Sequence, residues 1–462
     1  MQANKLFRDP VHGYISIPID FCVSFLDNKI FQRLRRIEQT SMRVLYPSAH
    51  HDRFSHSLGV FYLGQTAFKY LKENSPCLSS KSTLLEKSFQ IACLLHDCAH
   101  SPFSHTFEKY YILNRNEEIK TRLINNISDK NFKDDFSSSL PSPHEIVSAI
   151  VAVENFRDKI AENGGDVNLI ARMITGCLFS DSSKGVENCL ISLLNGSAID
   201  VDKLDYIIRD TWASGVNNVK IDEQRLLSSL LIRKDKDGVF KVFFKKHALN
   251  VIHNVVEGRN FLYEWVYSHH KVEYEQYLIT SALSQLSKNK SENDDFLKEL
   301  FSIDVLYENK KFGDFNFYLP SDGDIIYFLK NNVNEIPEIQ ELLSRDYLNK
   351  ALWKTKAEYN HYLFEIDDVG RKKIYQRSFN KLKKILENRG IEGNPVVKEI
   401  KTKLITIKKD EIFIDIDGDE VSYTNLFPEK EDNISRFYFI PYIPKEAFRI
   451  KKEIIRELRK LK

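Results

Sequence analysis

Apolar residues recur at helical spacing through most of the first 290 positions. Over 54–72, Leu58, Phe61, Tyr62 and Leu63 fall near that spacing, and Phe68 and Leu71 continue it. The stretch 84–96 (LLEKSFQIACLLH) carries the pattern on and turns almost wholly apolar toward its end. A helix that is apolar all round is buried, so His96 and Asp97 are predicted where a central helix leaves the core. Pro102 suits the first turn of a following helix over 103–114. Residues 115–142 are polar and serine-rich, which predicts an exposed loop. Helix resumes at 144–155, again at about 200–210, and in a long piece over about 247–288. Between the last two, VFKVFF (239–244) reads as a strand that begins just after the Asp237-Gly238 turn signal.

The pattern changes after residue 290. Lysine, aspartate and asparagine become common. EIFIDIDGDEVSY (411–423) predicts a hairpin around Asp417-Gly418, and RFYFI (436–440) another strand. The last segment, KEAFRIKKEIIRELRKLK, is a basic amphipathic helix, read as a solvated closing helix, with a partner contact as the alternative. No internal repeat is visible. The expected architecture is mainly α: a helical catalytic core over 1–290 and a smaller α+β C-terminal region over 291–462. The second region is expected to pack on the core and contribute to oligomerisation.

Bulk properties narrow the class. A chain of 462 residues can bury a large core without disulfides. The net charge of +2 does not indicate a fold that coats nucleic acid, although it leaves room for a local basic groove. Six cysteines, none in a C-x-x-C pair, read as reduced and mostly buried thiols. No stretch has the length and hydropathy of a membrane span, and the N-terminus shows no apolar signal segment. A cytoplasmic location is expected.

Twelve of the thirteen histidines precede residue 271. The chemistry gathers in four segments: RFSHSLG (53–59), HDCAHSPFSH (96–105), HEIVS (144–148) and IDVDKLDYIIRD (199–210). The dipeptide His-Asp occurs twice. His51-Asp52 sits in a polar stretch and reads as a decoy. His96-Asp97 follows a buried helix and opens a run of histidines. Imidazole and carboxylate together suit Mn, Fe, Zn or Ni. Two ligands make a poor site, so His56 and Asp202 are the best candidates to complete it.

Such a set leaves open positions for water and for a phosphoryl oxygen. His100 and His144 are candidates for acid–base work, and Glu108 for a carboxylate that orients a histidine, His105 being three residues before it. Arg53, Lys203, Arg209 and Arg259 are candidate cations for a polyphosphate. Taken singly, each histidine is more often a hydrogen-bonded core residue. Asp202 and Asp205 could equally be helix-start carboxylates. Tyr206 and Tyr263 could be packing residues.

Taken in order, R-F-x-H-S-L-G, H-D-x-x-H-x-P-F-S-H, H-E and D-V-D-K-x-D-Y-x-x-R-D resemble the HD-domain deoxynucleoside triphosphate triphosphohydrolases. The nearer branch holds the animal enzyme with an added sterile-alpha-motif domain and its bacterial relatives. The resemblance runs from DPVHGYISI (9–17) to about residue 285, roughly three-fifths of the chain. It implies metal ligands at His56, His96, Asp97 and Asp202, and catalytic roles for His100 and His144. Glu108 stands where relatives have aspartate. Substrate contacts are implied at Arg53, His105, Lys203 and Arg259, with Tyr206 near the sugar and Gln39 and Asp210 on the 3′-hydroxyl. Thr40 replaces a leucine and adds a polar group near the sugar, which leaves the strictness of deoxyribose selection open.

The resemblance also implies an effector site between subunits. Lys5, Asp27, Gln32 and Arg35 match the contacts to an activating guanine nucleotide, and Arg225 and Lys245 match those to a second nucleotide. Arg8 and His247 depart from that second set. The implied reaction releases intact triphosphate from a dNTP, with Mg accompanying the nucleotide. A homodimer or homotetramer is implied. The alternatives are an HD-domain nuclease or another nucleotide phosphohydrolase on the same site, and a nucleotide sensor without turnover.

Overall fold

The structure is a computed structural model that describes residues 3–78, 82–113, 115–216, 220–290, 295–312, 315–364, 366–400, 408–428 and 437–462. Backbone contacts divide the chain into two units. One comprises Met1–Arg259, Ser287–Phe328 and Ile407–Pro428, the other Asn260–Leu286, Leu329–Thr406 and Glu429–Lys462. The chain is therefore not cut once at residue 290. Segments from both halves of the sequence enter each unit, because the C-terminal hairpin completes a sheet begun near residue 230.

The first unit opens with an antiparallel hairpin, Asn4–Asp9 against Gly13–Pro18. Its core is built on the helix Arg53–Asn74, packed on Ser82–Leu95 and Val201–Ser214. Three helix starts in this unit carry a polar signal. Asp52 accepts from the Ser55 N–H, Asp200 accepts from the Lys203 N–H, and Ser142 with Glu145 forms a capping box ahead of Pro143–Asn155. Val201–Ser214 stops at Gly215, whose φ of 73° suits a residue without a side chain.

A four-stranded sheet lies in the same unit, in the order Asp419–Ser422, Phe413–Ile416, Phe240–Lys245, Leu230–Lys234. The expected strand after Asp237-Gly238 is present, and so is the hairpin around Asp417-Gly418, both at positive φ. Phe413–Ile416 pairs parallel to Phe240–Lys245, with Phe413 opposite Phe243. The hairpin thus belongs to the first unit.

Three expectations fail in informative ways. Residues 103–113 form two 3-10 turns, Ser104–Thr106 and Glu108–Tyr110, instead of a helix, and Asn114 lies outside the described residues. Phe103 and Ser104 adopt φ of 55° and 49°, which no α-helix accommodates. Residues 115–142 are not a loop, since they contain helices Asn116–Asn126 and Phe132–Ser138. Ile119, Leu123, Phe132 and Phe136 are buried, so a sparse apolar stripe was enough. The long helix is broken: Leu249–Leu262 runs into one π turn, Tyr263–Tyr267, and helix restarts at His270.

The second unit holds an antiparallel sheet, Asn349–Ala351, Tyr438–Pro444 and Val396–Ile400 in that spatial order. The expected strand is thus present, shifted toward the C-terminus; Arg436 lies outside the described residues. Helices His270–Lys290, Asp368–Asn388 and Lys451–Arg459 cover it around Trp353, Tyr359, Leu382, Tyr442 and Ile454. The closing helix buries Ile454, Ile455 and Leu458 and leaves its basic side outward. No described helix is long and apolar enough to cross a membrane. All six cysteines are free, and all but Cys77 are buried.

Candidate metal and phosphate site

The helix Arg53–Asn74 brings His56 into the core, and Val201–Ser214 brings Asp202 and Asp205 to meet it. His56 is fully buried. Its Nδ1 lies 2.7 Å from Asp205 Oδ2, which leaves Nε2 directed at Asp202 Oδ1, 3.0 Å away. His96 Nδ1 donates to the Cys93 carbonyl at 2.9 Å, which turns its Nε2 to within 3.3 Å of His56 Nε2. His96 Nε2 stands 3.6 Å from both Asp97 Oδ2 and Asp202 Oδ1, and His56 Nε2 stands 3.7 Å from Asp97 Oδ2. Ligand atoms at about 2.0–2.2 Å from one ion lie roughly 3 Å apart, so His56, His96 and Asp97 could hold a common divalent ion, with Asp202 Oδ1 close to both histidines.

The electrostatics fit as well. Burial works against charge on Asp97, but Arg53, His96 and His56 outweigh it and hold the carboxylate below its usual range. Burial lowers His56, but Asp202 and Asp205 outweigh it and push the imidazole up to about 9. The carboxylates therefore draw positive charge into the cluster, and a cation can take the place of those protons.

Asp205 is the hub beneath the candidate ligands. Besides His56 it meets His12 Nε2 at 2.6 Å and Arg209 Nε at 2.8 Å, and Arg209 also reaches Asp9 Oδ2 at 2.8 Å. Arg209 is buried in this network and committed to two carboxylates, which corrects its reading as a phosphate cation. Gly59 allows the approach: a Cβ there would fall 1.9 Å from Asp205 Oδ1.

A second cluster adjoins the first. Glu108 Oε2 lies 2.7 Å from His144 Nδ1 and 3.1 Å from His105 Nδ1. His144 Nε2 stands 4.0 Å from Asp97 Oδ1. The rings of His100 and His144 stack at 4.5 Å, and both nitrogens of the buried His100 lack a partner among the described residues. Burial, then Arg53, lowers the His100 imidazole; burial also opposes charge on His144, but Glu108 overrides it and raises that group to about 9.

The cations and sugar-site residues fall around these clusters. Arg53 bridges Asp97 Oδ2 at 2.5 Å and Ser104 Oγ at 3.0 Å. Lys203 Nζ meets Asp200 and the Gly196 carbonyl. Arg259 Nε lies 3.1 Å from the Tyr206 hydroxyl. Asp210 Oδ1 lies 2.6 Å from His51 Nε2, and the His51 carbonyl accepts from the Gln39 N–H at 2.9 Å. His51, read as a decoy, is thus buried against Asp210. The dipeptide hid it, because His51 joins a carboxylate 159 residues away while Asp52 caps a helix. His12 and Asp9 were missed as contributors for the same reason: their partners are remote in sequence.

The residues matched to effector contacts lie elsewhere on the first unit. Lys5 is exposed on Asn4–Asp9, and Asp27 is exposed just before Lys29–Arg33. Gln32 Oε1 accepts from Arg35 Nε at 2.9 Å, and the Arg35 guanidinium covers the Phe54 ring. Arg225 Nε donates to the His247 carbonyl at 2.7 Å, and Lys245 Nζ to Asn74 Oδ1 at 2.6 Å.

Residues 53–204 match the family model of the HD domain. The chain is 29% identical over 267 residues to an uncharacterised protein of Mycoplasma genitalium, covering 57% of this chain and 56% of that one. It is 31% identical over 301 residues to the deoxynucleoside triphosphate triphosphohydrolase SAMHD1 of Danio rerio, covering 60% of this chain and 44% of that one. The chain thus spans about half the length of these curated relatives. Among solved structures, a phosphohydrolase from Bacteroides thetaiotaomicron shares the fold with a TM-score of 0.62 at 22% identity, over 95% of this chain and 99% of that one. With candidate ligand atoms gathered there, residues 53–204 match the HD-domain model, and the chain is similar over part of its length to deoxynucleoside triphosphate triphosphohydrolases.

Proposed function

We propose that this protein is a metal-dependent phosphohydrolase that cleaves a dNTP into a deoxynucleoside and triphosphate. The observation that carries the reading is the meeting of His56, His96, Asp97 and Asp202 beside the histidine cluster of His100, His105 and His144.

The four ligands would hold a divalent transition ion such as Mn, Fe, Zn or Ni. When bound, such an ion makes water more acidic and stabilises charge on a phosphoryl oxygen. The protein's own groups do the rest. Arg53, Lys203 and Arg259 offer charge-assisted hydrogen bonds to the phosphates, each worth about 1.5–3 kcal/mol. Glu108 fixes the rings of His105 and His144 through Nδ1, so their Nε2 atoms are left to meet a phosphate oxygen or pass a proton to the leaving sugar oxygen.

Tyr206, Gln39 and Asp210 form the sugar side. The Thr40 hydroxyl is buried and donates to the Ala49 carbonyl at 3.1 Å. Its proton is committed there while its oxygen keeps acceptor capacity, so deoxyribose selection rests on Tyr206 and Thr40 together. Activation by a guanine nucleotide through Lys5, Asp27, Gln32 and Arg35, with a second nucleotide near Arg225 and Lys245, belongs to the same reading. So does a dimer or tetramer that supplies the remaining effector contacts.

The test is direct. Metal-loaded protein is incubated with each dNTP, with and without GTP and Mg, and products are separated by chromatography. Deoxynucleoside plus intact triphosphate supports the proposal. Pyrophosphate or single phosphates count against it, as does turnover of single-stranded nucleic acid or cyclic nucleotides with dNTPs inert.

A further inference from the structure

The segment that carries His100 and His105 has only a single 3-10 turn, Ser104–Thr106, as regular structure. Phe103 and Ser104 lie in the left-handed region, at φ of 55° and 49°, where residues with side chains are disfavoured. Such a conformation persists only when its surroundings impose it. The surroundings come from a segment more than 200 residues away.

Asp322 uses both carboxylate oxygens on backbone N–H groups. Oδ1 accepts from Phe103 at 2.6 Å, and Oδ2 accepts from Glu38 at 3.0 Å. Phe103 lies between His100 and His105, and Glu38 immediately precedes Gln39. The carbonyl of Glu38 in turn accepts from Ser104 Oγ at 2.7 Å, and Ser104 Oγ also meets Arg53 Nε. Arg33 adds a second tie. Its Nε donates to the Pro320 carbonyl at 2.8 Å, and its Nη2 donates to the His100 carbonyl.

The ordinary explanation for an aspartate at a helix start does not apply. The helix Asp322–Asn331 is capped by its neighbours, since Asp324 Oδ2 accepts from both N and Oγ of Ser321 at 2.7 Å. Asp322 is left for the two loops.

We infer that Asp322 and Arg33 are positioning residues for phosphate cleavage: together they clamp the histidine loop 100–105 to the Glu38-Gln39 segment, and so fix the acid–base histidines relative to the sugar site. The inference rests on the function proposed above. It touches neither the metal nor the substrate.

The experiment compares full-length Asp322→Ala, Asp322→Asn, Arg33→Lys and Asp324→Asn with the wild type. Asp324→Asn is the control, because it weakens the same helix start without touching either loop. Three quantities are read: amide hydrogen exchange over 98–108, bound metal per chain, and kcat and KM for dNTP cleavage. A misplacement of about 1 Å can cost on the order of 100-fold in rate. Asp322→Ala is therefore expected to lower kcat roughly 30–100-fold with KM within about threefold. Metal content should stay at the wild-type level, and exchange over 98–108 should speed up. Asp322→Asn, which keeps one acceptor, and Arg33→Lys should fall between Asp322→Ala and the wild type. Unchanged exchange over 98–108 overturns the clamp, as does a kcat loss no larger than that of Asp324→Asn at equal loss of Tm. If the wild type cleaves no dNTP, the proposed function fails, while the exchange measurement still decides the clamp.

Discussion

His51 Nε2 and Asp210 Oδ1 lie 2.6 Å apart in the core, joining the segment after Gln39 to the far end of the helix that bears Asp202. The pair fixes the carboxylate expected to meet the sugar. A hydrogen bond to a charged group contributes about 1.5–3 kcal/mol, so His51→Ala is expected to lower kcat/KM on dNTPs roughly 10–100-fold. A double variant with Asp210→Ala should lose less than the two single losses combined, because the residues act as a unit. Strictly additive losses would show that His51 works apart from Asp210.

Asp205 holds His56 by Nδ1 without itself facing the ligand cluster. Carboxylates in that position typically govern metal affinity by about 10–100-fold. Asp205→Asn is expected to weaken metal retention by that order in competition with a chelator. Undiminished retention would show that helix packing alone orients His56.

Gly59 has no room for a methyl group, since a Cβ would meet Asp205 Oδ1 at 1.9 Å and Arg209 Nη2 at 2.4 Å. Both contacts belong to a buried ion-pair network that cannot retreat into solvent. Gly59→Ala should cost about 1–3 kcal/mol or more of stability, read by denaturant unfolding, together with weaker metal retention. Wild-type stability would mean that the two helices separate freely.

Burial pushes the partly buried Asp322 up to about 6, against the pull of its N–H donors. For an acid raised in the fold, stability is full below the unfolded pKa of 3.8 and is lost as pH rises through about 6. Asp322→Asn removes that loss. Relative to wild type, the variant should therefore gain about 2 kcal/mol between pH 4 and pH 7, after allowance for solvent screening. A difference that stays flat over this window would show that Asp322 titrates normally.

The helices that bear the candidate ligands were legible because their signals are local. Periodicity placed Arg53–Asn74 and Ser82–Leu95, and Val201–Ser214 lies where a helix was expected over about 200–210. The turn pair Asp417-Gly418 placed a hairpin, yet nothing in it says that Phe413 will lie beside Phe243. The loop at 103–104 misled for the same reason. Its residues are helix-compatible, and what holds them otherwise is a carboxylate at 322. His51 and His12 were passed over because a histidine's meaning lies in its partner, and both partners lie more than 150 residues away.

The hairpin Asn4–Asp9 and Gly13–Pro18 also acquires a meaning from the Asp205 network. Asp9 shares Arg209 with Asp205, and His12 binds Asp205 directly. Through one carboxylate, the position of His56 is tied to the seating of the amino-terminal ribbon. Lys5, a residue matched to an effector phosphate, lies on the same ribbon. Whatever tugs on the ribbon pulls on His56, so a tag or truncation at that end also disturbs the candidate metal site.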